Sequence, residues 1–348
     1  MFTRSEKLLI PLEKPASPDP NGAAAIQELL GGKFGEMSTL NNYLHQSFGF
    51  KEKKKLKPFY DLIASITAEE LGHVELISTA INLMLEGSVK EGDPVSGPLQ
   101  DAANLRNTHH TIVGGGGHQV MDSMGHFWSG EHVFSSGNLV SDLLHNFFLE
   151  TGARMHKHRC YQMTTNPAAR RVIGYLMVRG GVHQAAYAMA LRKITGVEVT
   201  KMLPTPNIDD SKIPEARVWQ QIGSHRKLYT FSDTGDYGDV AGVWSGNADW
   251  ADNEPLEVIT GTPEYAAEGP VIGECPTLFS PDYATEEIYE IAAQLMAKGG
   301  ISPLQPGDGK HSRYQGSVAD TVGAKAQPDR TNQTPADHAK KPSKKSSK

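Results

Sequence analysis

A glutamate–histidine pair in the middle of a long apolar helical pattern is the feature that most limits the fold of this chain. The pattern runs from about Pro58 to Glu86, and Glu70 and His73 lie on its apolar face, because residues three or four apart share one side of a helix. Glu69 can reach His73 as well, so spacing alone leaves the choice between Glu69 and Glu70 open. One interpretation is a solvated acidic patch with a surface histidine. The other is a bound metal ion, because unpaired charge within an apolar seam is very costly.

Three further helical patterns carry the same kind of polar interruption. They are predicted to cover the ranges Gly22–Phe48, Asn138–Thr164 and Pro167–Thr195. Glu36 precedes Glu70 by 34 residues and Glu150 precedes His183 by 33, so each pair of helices forms a hairpin with its polar residues at a similar depth. A long connection rich in glycine and histidine, residues 88–137, joins the hairpins. This pattern predicts a mainly α fold, a ferritin-like four-helix bundle with a long crossover and an irregular C-terminal extension.

The domain boundaries follow from shifts in composition along the 348 residues. Residues 1–20 are predicted to form an extended arm rich in proline, and residues 21–196 the bundle. Residues 197–301 are predicted to be irregular, with short strands, a short helix at 217–227 and a terminal helix at 285–298, and to wrap a neighbouring subunit. Residues 302–348 are predicted to be a disordered basic tail, with at most a weak contact to nucleic acid or an acidic surface.

Composition excludes several classes of protein. The net charge is −6 and no basic stripe is present, so the folded part is not expected to bind nucleic acid. No apolar run is long enough for a membrane span. The N-terminus lacks the apolar core of a signal peptide, and two cysteines are too few for a disulfide framework, so a cytoplasmic location is predicted.

The histidines of the long connection are spaced irregularly. We expect them to be loop or capping residues and not metal ligands; they are His109, His110, His118, His126 and His132. The ligand candidates are therefore the polar residues within the four helices. Three carboxylates and two imidazoles suit a pair of manganese or iron ions. A symmetric di-iron bundle would carry another glutamate three residues before His183, where this chain has Gly180.

Four motifs resemble the dimanganese, non-haem catalase family. They are LLGGKFGEMST at 29–39, EELGHVE at 69–75, DLLHNFFLE at 142–150 and VRGGVH at 178–183, within a resemblance that extends over residues 1–298. The resemblance implies that five residues bind two manganese ions in each subunit: Glu36, Glu70, His73, Glu150 and His183. It selects Glu70 over Glu69 and implies that Glu70 bridges the ions. The implied substrate is hydrogen peroxide, disproportionated to dioxygen and water as the ions cycle between Mn(II)₂ and Mn(III)₂.

Tyr43 and Lys157 are expected to support proton transfer. Each lies seven residues after a ligand glutamate, and family members place hydrogen-bonding groups at both positions. We expect them to act catalytically with Glu36. Another branch of the family has arginine and glutamate where this chain has Leu149 and Gly180. Because of this departure, we expect Lys157 to balance the charge of the centre in place of those two residues.

The resemblance also implies assembly and a second metal. Family members form hexamers, and some bind calcium between subunits. Asp61 matches one calcium ligand, although Ser65 replaces a second carboxylate.

Two other functions are compatible with the pattern. One is a ferritin-like di-iron oxidase, against which the absent glutamate at Gly180 argues. The other is a non-catalytic metal-binding stress protein.

Overall fold

The predicted helical pattern produces nine helices in the part of the chain that the structure describes. The structure is a computed structural model that describes residues 5–88, 105–203, 209–247, 250, 253–273 and 285–299. The helices are α1 (Pro20–Gly31), α2 (Glu36–Phe48), α3 (Lys57–Leu85), α4 (His109–Ile112), α5 (Leu139–Gln162), α6 (Pro167–Thr195), α7 (Val199–Met202), α8 (Pro214–Gln221) and α9 (Thr285–Lys298). Helices α2 and α3 pack as one hairpin and α5 and α6 as another, which gives the predicted four-helix bundle.

The predicted continuous helix over Gly22–Phe48 is wrong, because the chain breaks it between Gly31 and Glu36. A Cβ atom on Gly31 would lie only 2.2 Å from the main-chain oxygen of Met121, where the crossover passes over the helix. A Cβ atom on Gly35 would lie 2.7 Å from the oxygen of Leu30. The glycines thus allow a close backbone approach and a sharp turn. As a result, Glu36 is the first residue of α2.

The polar interruptions lie between two separate apolar clusters. On α3, Ile66 belongs to one cluster and Leu76 to the other, and the charged residues lie between them. On α6, Val182 belongs to the cluster that contains Ile66, and Val178 belongs to the cluster that contains Leu76. The bundle therefore has apolar packing on both sides of one polar layer.

The crossover is fixed to the bundle through Gln27 of α1. The Gln27 side-chain nitrogen donates to the oxygens of Gln119 and Met121 at 2.6 and 2.8 Å. His110 Nε2 lies at hydrogen-bond distance, 2.9 Å, from Gln27 Oε1. His110 is buried, so it is a packing residue of the crossover.

We expect His110 to make stability depend on pH. Burial, with a smaller effect from the neighbouring histidines His118 and His109, lowers the pKa of His110 to about 4. The folded state thus resists a proton that the unfolded state takes up near pH 6.5, and stability falls as the pH drops from about 6.5 towards 4. Between pH 7 and pH 5 this loss should be about 2 kcal/mol. Urea unfolding should show a smaller pH effect in His110→Gln than in the wild type, and an equal effect would contradict this account.

The described part of the extension packs on its own chain. Strand β1 (Lys7–Leu8) pairs antiparallel with β4 (Ala267–Glu268), and β2 (Lys227–Tyr229) pairs parallel with β3 (Glu257–Ile259). The prediction of a short helix at 217–227 is wrong in its bounds, since α8 begins at Pro214, where proline is favoured, and ends at Gln221. Three large aromatic side chains of this region are buried: Trp219, Tyr229 and Trp244. Wrapping of a neighbouring subunit stays a prediction.

Residues 281–348 form a second unit of the chain. Its described part is α9, which matches the predicted terminal helix. The predicted disordered tail, 302–348, lies outside the described residues. Of the helices that the structure describes, none combines the length and the apolar character needed to cross a bilayer.

Candidate metal centre

Five buried side chains from four helices meet in the polar layer. Glu36 opens α2, Glu70 and His73 lie in the middle of α3, and Glu150 and His183 lie in the middle of α5 and α6. Each is at most 1% exposed. These are the five residues that the sequence marked as candidate ligands, and the structure brings all of them together.

The five side chains form two overlapping groups, Glu36–Glu70–His73 and Glu70–Glu150–His183. Within each group, one candidate ligand atom per residue lies within 4.8 Å of the others. Glu70 belongs to both groups. Each group has the oxygen and nitrogen donors that suit divalent manganese or iron.

Both histidines turn the same ring nitrogen towards the carboxylates. His73 Nδ1 lies 3.1 Å from Glu70 Oε2 and 3.6 Å from Glu36 Oε2. His183 Nδ1 lies 2.8 Å from Glu70 Oε1 and 3.3 Å from Glu150 Oε1. His183 Nδ1 and Glu150 Oε2 are buried, yet neither makes a hydrogen bond of good geometry within the described chain. Buried polar atoms of this kind call for another partner, and a metal ion would provide one.

Glu69 faces the opposite nitrogens of the same two histidines. Its Oε2 lies 3.0 Å from His183 Nε2, and its Oε1 lies 3.6 Å from His73 Nε2. Arg179 of α6 holds this carboxylate through two hydrogen bonds, including one of 2.9 Å from Nη2 to Oε2. Spacing left Glu69 and Glu70 as alternatives. In the structure Glu70 lies within both candidate groups, while Glu69 joins the imidazoles to Arg179.

Arg179 connects the centre to the C-terminal extension. Its Nη1 donates to the main-chain oxygens of Ser224 and Lys227 at 2.6 and 2.8 Å, and its guanidinium lies 5.0 Å from the centroid of the Tyr229 ring. Arg179 was not predicted as a site residue from the sequence. Helical spacing could have identified it, because Arg179 precedes His183 by four residues and so lies on the same face of the predicted helix.

Three polar side chains contact the carboxylates from α2 and α5. Lys157 Nζ lies 2.8 Å from Glu36 Oε1. Tyr43 donates its hydroxyl to Glu150 Oε1 at 2.7 Å. Thr39 Oγ1 lies 2.8 Å from Glu70 Oε2 and was not predicted, although its position three residues after Glu36 placed it on the same face.

The charges of the cluster determine which groups keep their protons. Burial would raise the pKa of Glu36, but Lys157 and hydrogen bonds within the cluster hold it well below its ordinary value. Burial and the neighbouring Glu36 carboxylate raise the pKa of Glu70. Burial would lower the pKa of Lys157, but the surrounding glutamates, Glu36 above all, raise it. Burial, with Glu150, raises the pKa of Tyr43, so the phenol keeps its proton and remains a donor.

The whole polar layer carries an excess of negative charge. It contains four carboxylates, those of Glu36, Glu69, Glu70 and Glu150, against the cations of Lys157 and Arg179. With neutral histidines the net charge is −2. Two divalent cations would bring it to +2, and two hydroxide ions or one oxide ion bound with them would make the layer neutral. The donor set and the charge therefore fit a pair of divalent metal ions.

Asp61 lies apart from this cluster. Its buried carboxylate accepts two hydrogen bonds from Lys57 Nζ, at 2.7 and 2.8 Å, and a third from the main-chain nitrogen of Asp239 at 3.1 Å. Ser65 donates to the main-chain oxygen of Asp61 and not to its carboxylate. A lysine ammonium thus contacts both oxygens of the carboxylate that was predicted as a calcium ligand.

Comparisons with known proteins agree with this chemistry. The family model described as manganese containing catalase matches residues 1–301. A manganese catalase of Bacillus subtilis is 35% identical over 204 residues, which cover 57% of this chain and 72% of that protein. A manganese catalase of Lactiplantibacillus plantarum is 33% identical over 202 residues, 56% of this chain and 72% of that protein.

Similar proteins also include one without an assigned activity and one of known structure. The uncharacterized protein YjqC of Bacillus subtilis strain 168 is 36% identical over 196 residues, covering 55% of this chain and 69% of that protein. The crystal structure of KatB, a manganese catalase from Anabaena, aligns with a TM-score of 0.47 at 19% identity, covering 76% of this chain and all of that chain. Because the family model matches residues 1–301 and manganese catalases are among its relatives, the chain belongs to the manganese-containing catalase family, and manganese catalase is its function at the level of that family.

Proposed function

We propose that Glu36, Glu70, His73, Glu150 and His183 hold two manganese ions at which hydrogen peroxide is disproportionated to dioxygen and water. Two overlapping donor groups that share Glu70 are the observation that carries the proposal. Glu36 and His73 would complete one ligand set, and Glu150 and His183 the other. In the reaction 2 H₂O₂ → O₂ + 2 H₂O, manganese held by these residues would supply two electrons to one peroxide and take two electrons from the next.

The protein side chains have separate roles in this reaction. Glu69, held by Arg179, orients the His183 imidazole so that it presents Nδ1 to the centre. Tyr43 holds Glu150 in place as a hydrogen-bond donor. Lys157 Nζ and Glu36 Oε1, 2.8 Å apart, form the pair that can exchange a proton with peroxide oxygen as the bond between the oxygens breaks.

The remaining predictions belong to the same proposal. A homohexamer follows from the family resemblance, and a cytoplasmic location follows from the low cysteine content. Calcium at Asp61 would require Lys57 to move away from the carboxylate, because the ammonium now contacts both of its oxygens.

Metal content and oxygen evolution on the purified protein test the proposed function. We expect bound manganese and release of dioxygen from peroxide, and we expect His183→Ala to lower both, because that variant removes one candidate ligand. His126→Ala is the matched control, since His126 is exposed and contacts Asp122 outside the polar layer.

Other results would contradict the proposal in distinct ways. Full turnover in His183→Ala would remove His183 from the ligand set. Bound iron with consumption of dioxygen would favour the di-iron oxidase. Bound manganese without release of oxygen would favour a non-catalytic metal-binding protein.

A further inference from the structure

Three residues spaced four apart lie on one face of the first turns of α3. They are Lys57, Asp61 and Ser65. Asp61 and Ser65 are buried, and Lys57 is partly exposed at the start of the helix. The family resemblance implies calcium at Asp61, and the atoms around its carboxylate decide whether that ion fits.

The groups around the Asp61 carboxylate do not fit calcium. Calcium takes about six to eight oxygen ligands, each of which offers a lone pair. Here both carboxylate oxygens accept from Lys57 Nζ, at 2.8 and 2.7 Å, and Oδ2 also accepts from the main-chain nitrogen of Asp239 at 3.1 Å. The carboxylate thus already has a cation as its partner, and the groups that it contacts are nitrogen donors.

Ser65 does not supply an oxygen to this position. Its hydroxyl lies 2.7 Å from the main-chain oxygen of Asp61 and 3.1 Å from that of Leu62, so it is turned towards the backbone of its own helix. A carboxylate in place of Ser65 would add a second negative charge, whereas serine adds none. One ammonium therefore balances the one buried charge of Asp61.

Lys57 also reaches the C-terminal extension. Its Nζ lies 3.9 Å from Oδ2 of Asp239, which belongs to the 3₁₀ turn Gly238–Gly242. This turn lies close to the first turn of α3, since a Cβ atom on Gly242 would be 3.2 Å from Pro58 Cβ. The ammonium thus lies between a buried carboxylate of the bundle and an acidic residue of the extension, as a bound metal ion would.

We propose that the Lys57 ammonium takes the place of calcium in this chain and joins α3 to the 3₁₀ turn of the extension without a metal ion. The inference goes beyond the proposed function, because it concerns neither the manganese ligands nor peroxide. It makes the contact between α3 and the extension independent of the calcium concentration around the protein.

Thermal unfolding of the manganese-loaded full chain tests the role of the ammonium. We expect Lys57→Met to lower the unfolding midpoint by about 3 °C, because Asp61 stays buried without its charge partner. Lys57→Arg keeps the charge and should stay near the wild type. Lys54→Met is the matched control at an exposed lysine of the preceding loop, and it should leave the midpoint unchanged. A midpoint in Lys57→Met equal to that of the wild type would overturn the proposal.

Calcium itself is the second probe. Calorimetric titration with calcium chloride should show no binding to the wild type and none to Ser65→Asp, in which the ammonium still contacts Asp61. The double variant with Lys57→Met and Ser65→Asp offers two carboxylates and no ammonium, so it should bind calcium and gain thermal stability from it.

Two results of the titration would show that Lys57 does not take the place of calcium. One is binding of calcium by the wild type. The other is equal calcium binding by Ser65→Asp and the double variant, no binding by either included. Neither result would affect the proposed function, which is tested by manganese content and oxygen release.

Discussion

Replacing Arg179 with methionine is expected to weaken manganese binding by about 10- to 100-fold and to lower the free energy of unfolding of the metal-free protein by about 3–5 kcal/mol. Arg179 is fully buried and is the cation that holds Glu69. Without it, a buried carboxylate loses its charge partner, and His183 loses the fixed acceptor at Nε2. Equilibrium dialysis with manganese and urea unfolding of the metal-free protein measure the two effects.

Two further variants separate the effect of the buried charge on stability from the effect of histidine orientation on manganese affinity. Arg192→Met is the matched control, because Arg192 lies on the same helix with its side chain 69% exposed, and it should change neither quantity. The double variant with Glu69→Gln and Arg179→Met removes both charges, so it should recover stability but not manganese affinity. If Arg179→Met binds manganese as tightly as the wild type, Glu69 does not orient His183.

Replacing Lys157 with methionine is expected to slow oxygen release by about 100-fold while manganese stays bound. Lys157 contacts Glu36 Oε1 at 2.8 Å and keeps that carboxylate ionised, yet it is not among the candidate ligands. Its loss should therefore remove a proton carrier without removing a ligand. Metal analysis beside oxygen-electrode kinetics makes the distinction, with Lys33→Met as a control at an exposed lysine.

The result for Lys157→Met also tests whether Lys157 compensates for Leu149 and Gly180, which stand where another branch of the family has arginine and glutamate. If oxygen release in Lys157→Met equals that of the wild type, Lys157 does not replace the missing arginine and glutamate. Loss of manganese from Lys157→Met would instead give Lys157 a structural role in holding Glu36.

Spacing along the helices predicted much of the candidate centre. Glu70 and His73, three residues apart in one helix, had to share a face, and the near-equal lengths of the hairpins placed Glu150 and His183 at the same depth. Resemblance to a family was needed to choose Glu70 over Glu69. Periodicity could not decide between neighbours that can both reach His73.

The missed features depend on contacts between distant parts of the chain. The helix break before Glu36 arises because Met121, far along the crossover, approaches Gly31 too closely for any side chain. Arg179 acquires its role from Glu69, 110 residues earlier. Arg154 is held by Gln184, 30 residues later, and by Asp210, 56 residues later. The hydrophobic periodicity of one helix gives no information about these distant partners.

The contacts of Arg179 with the extension have a consequence for how such chains can diverge. Arg179 donates to the main-chain oxygens of Ser224 and Lys227, which every amino acid provides. Substitutions at those two positions can therefore accumulate with little penalty as long as the backbone keeps its course, whereas an insertion or deletion between them would move the acceptors. Selection in this segment should preserve length more strictly than residue identity.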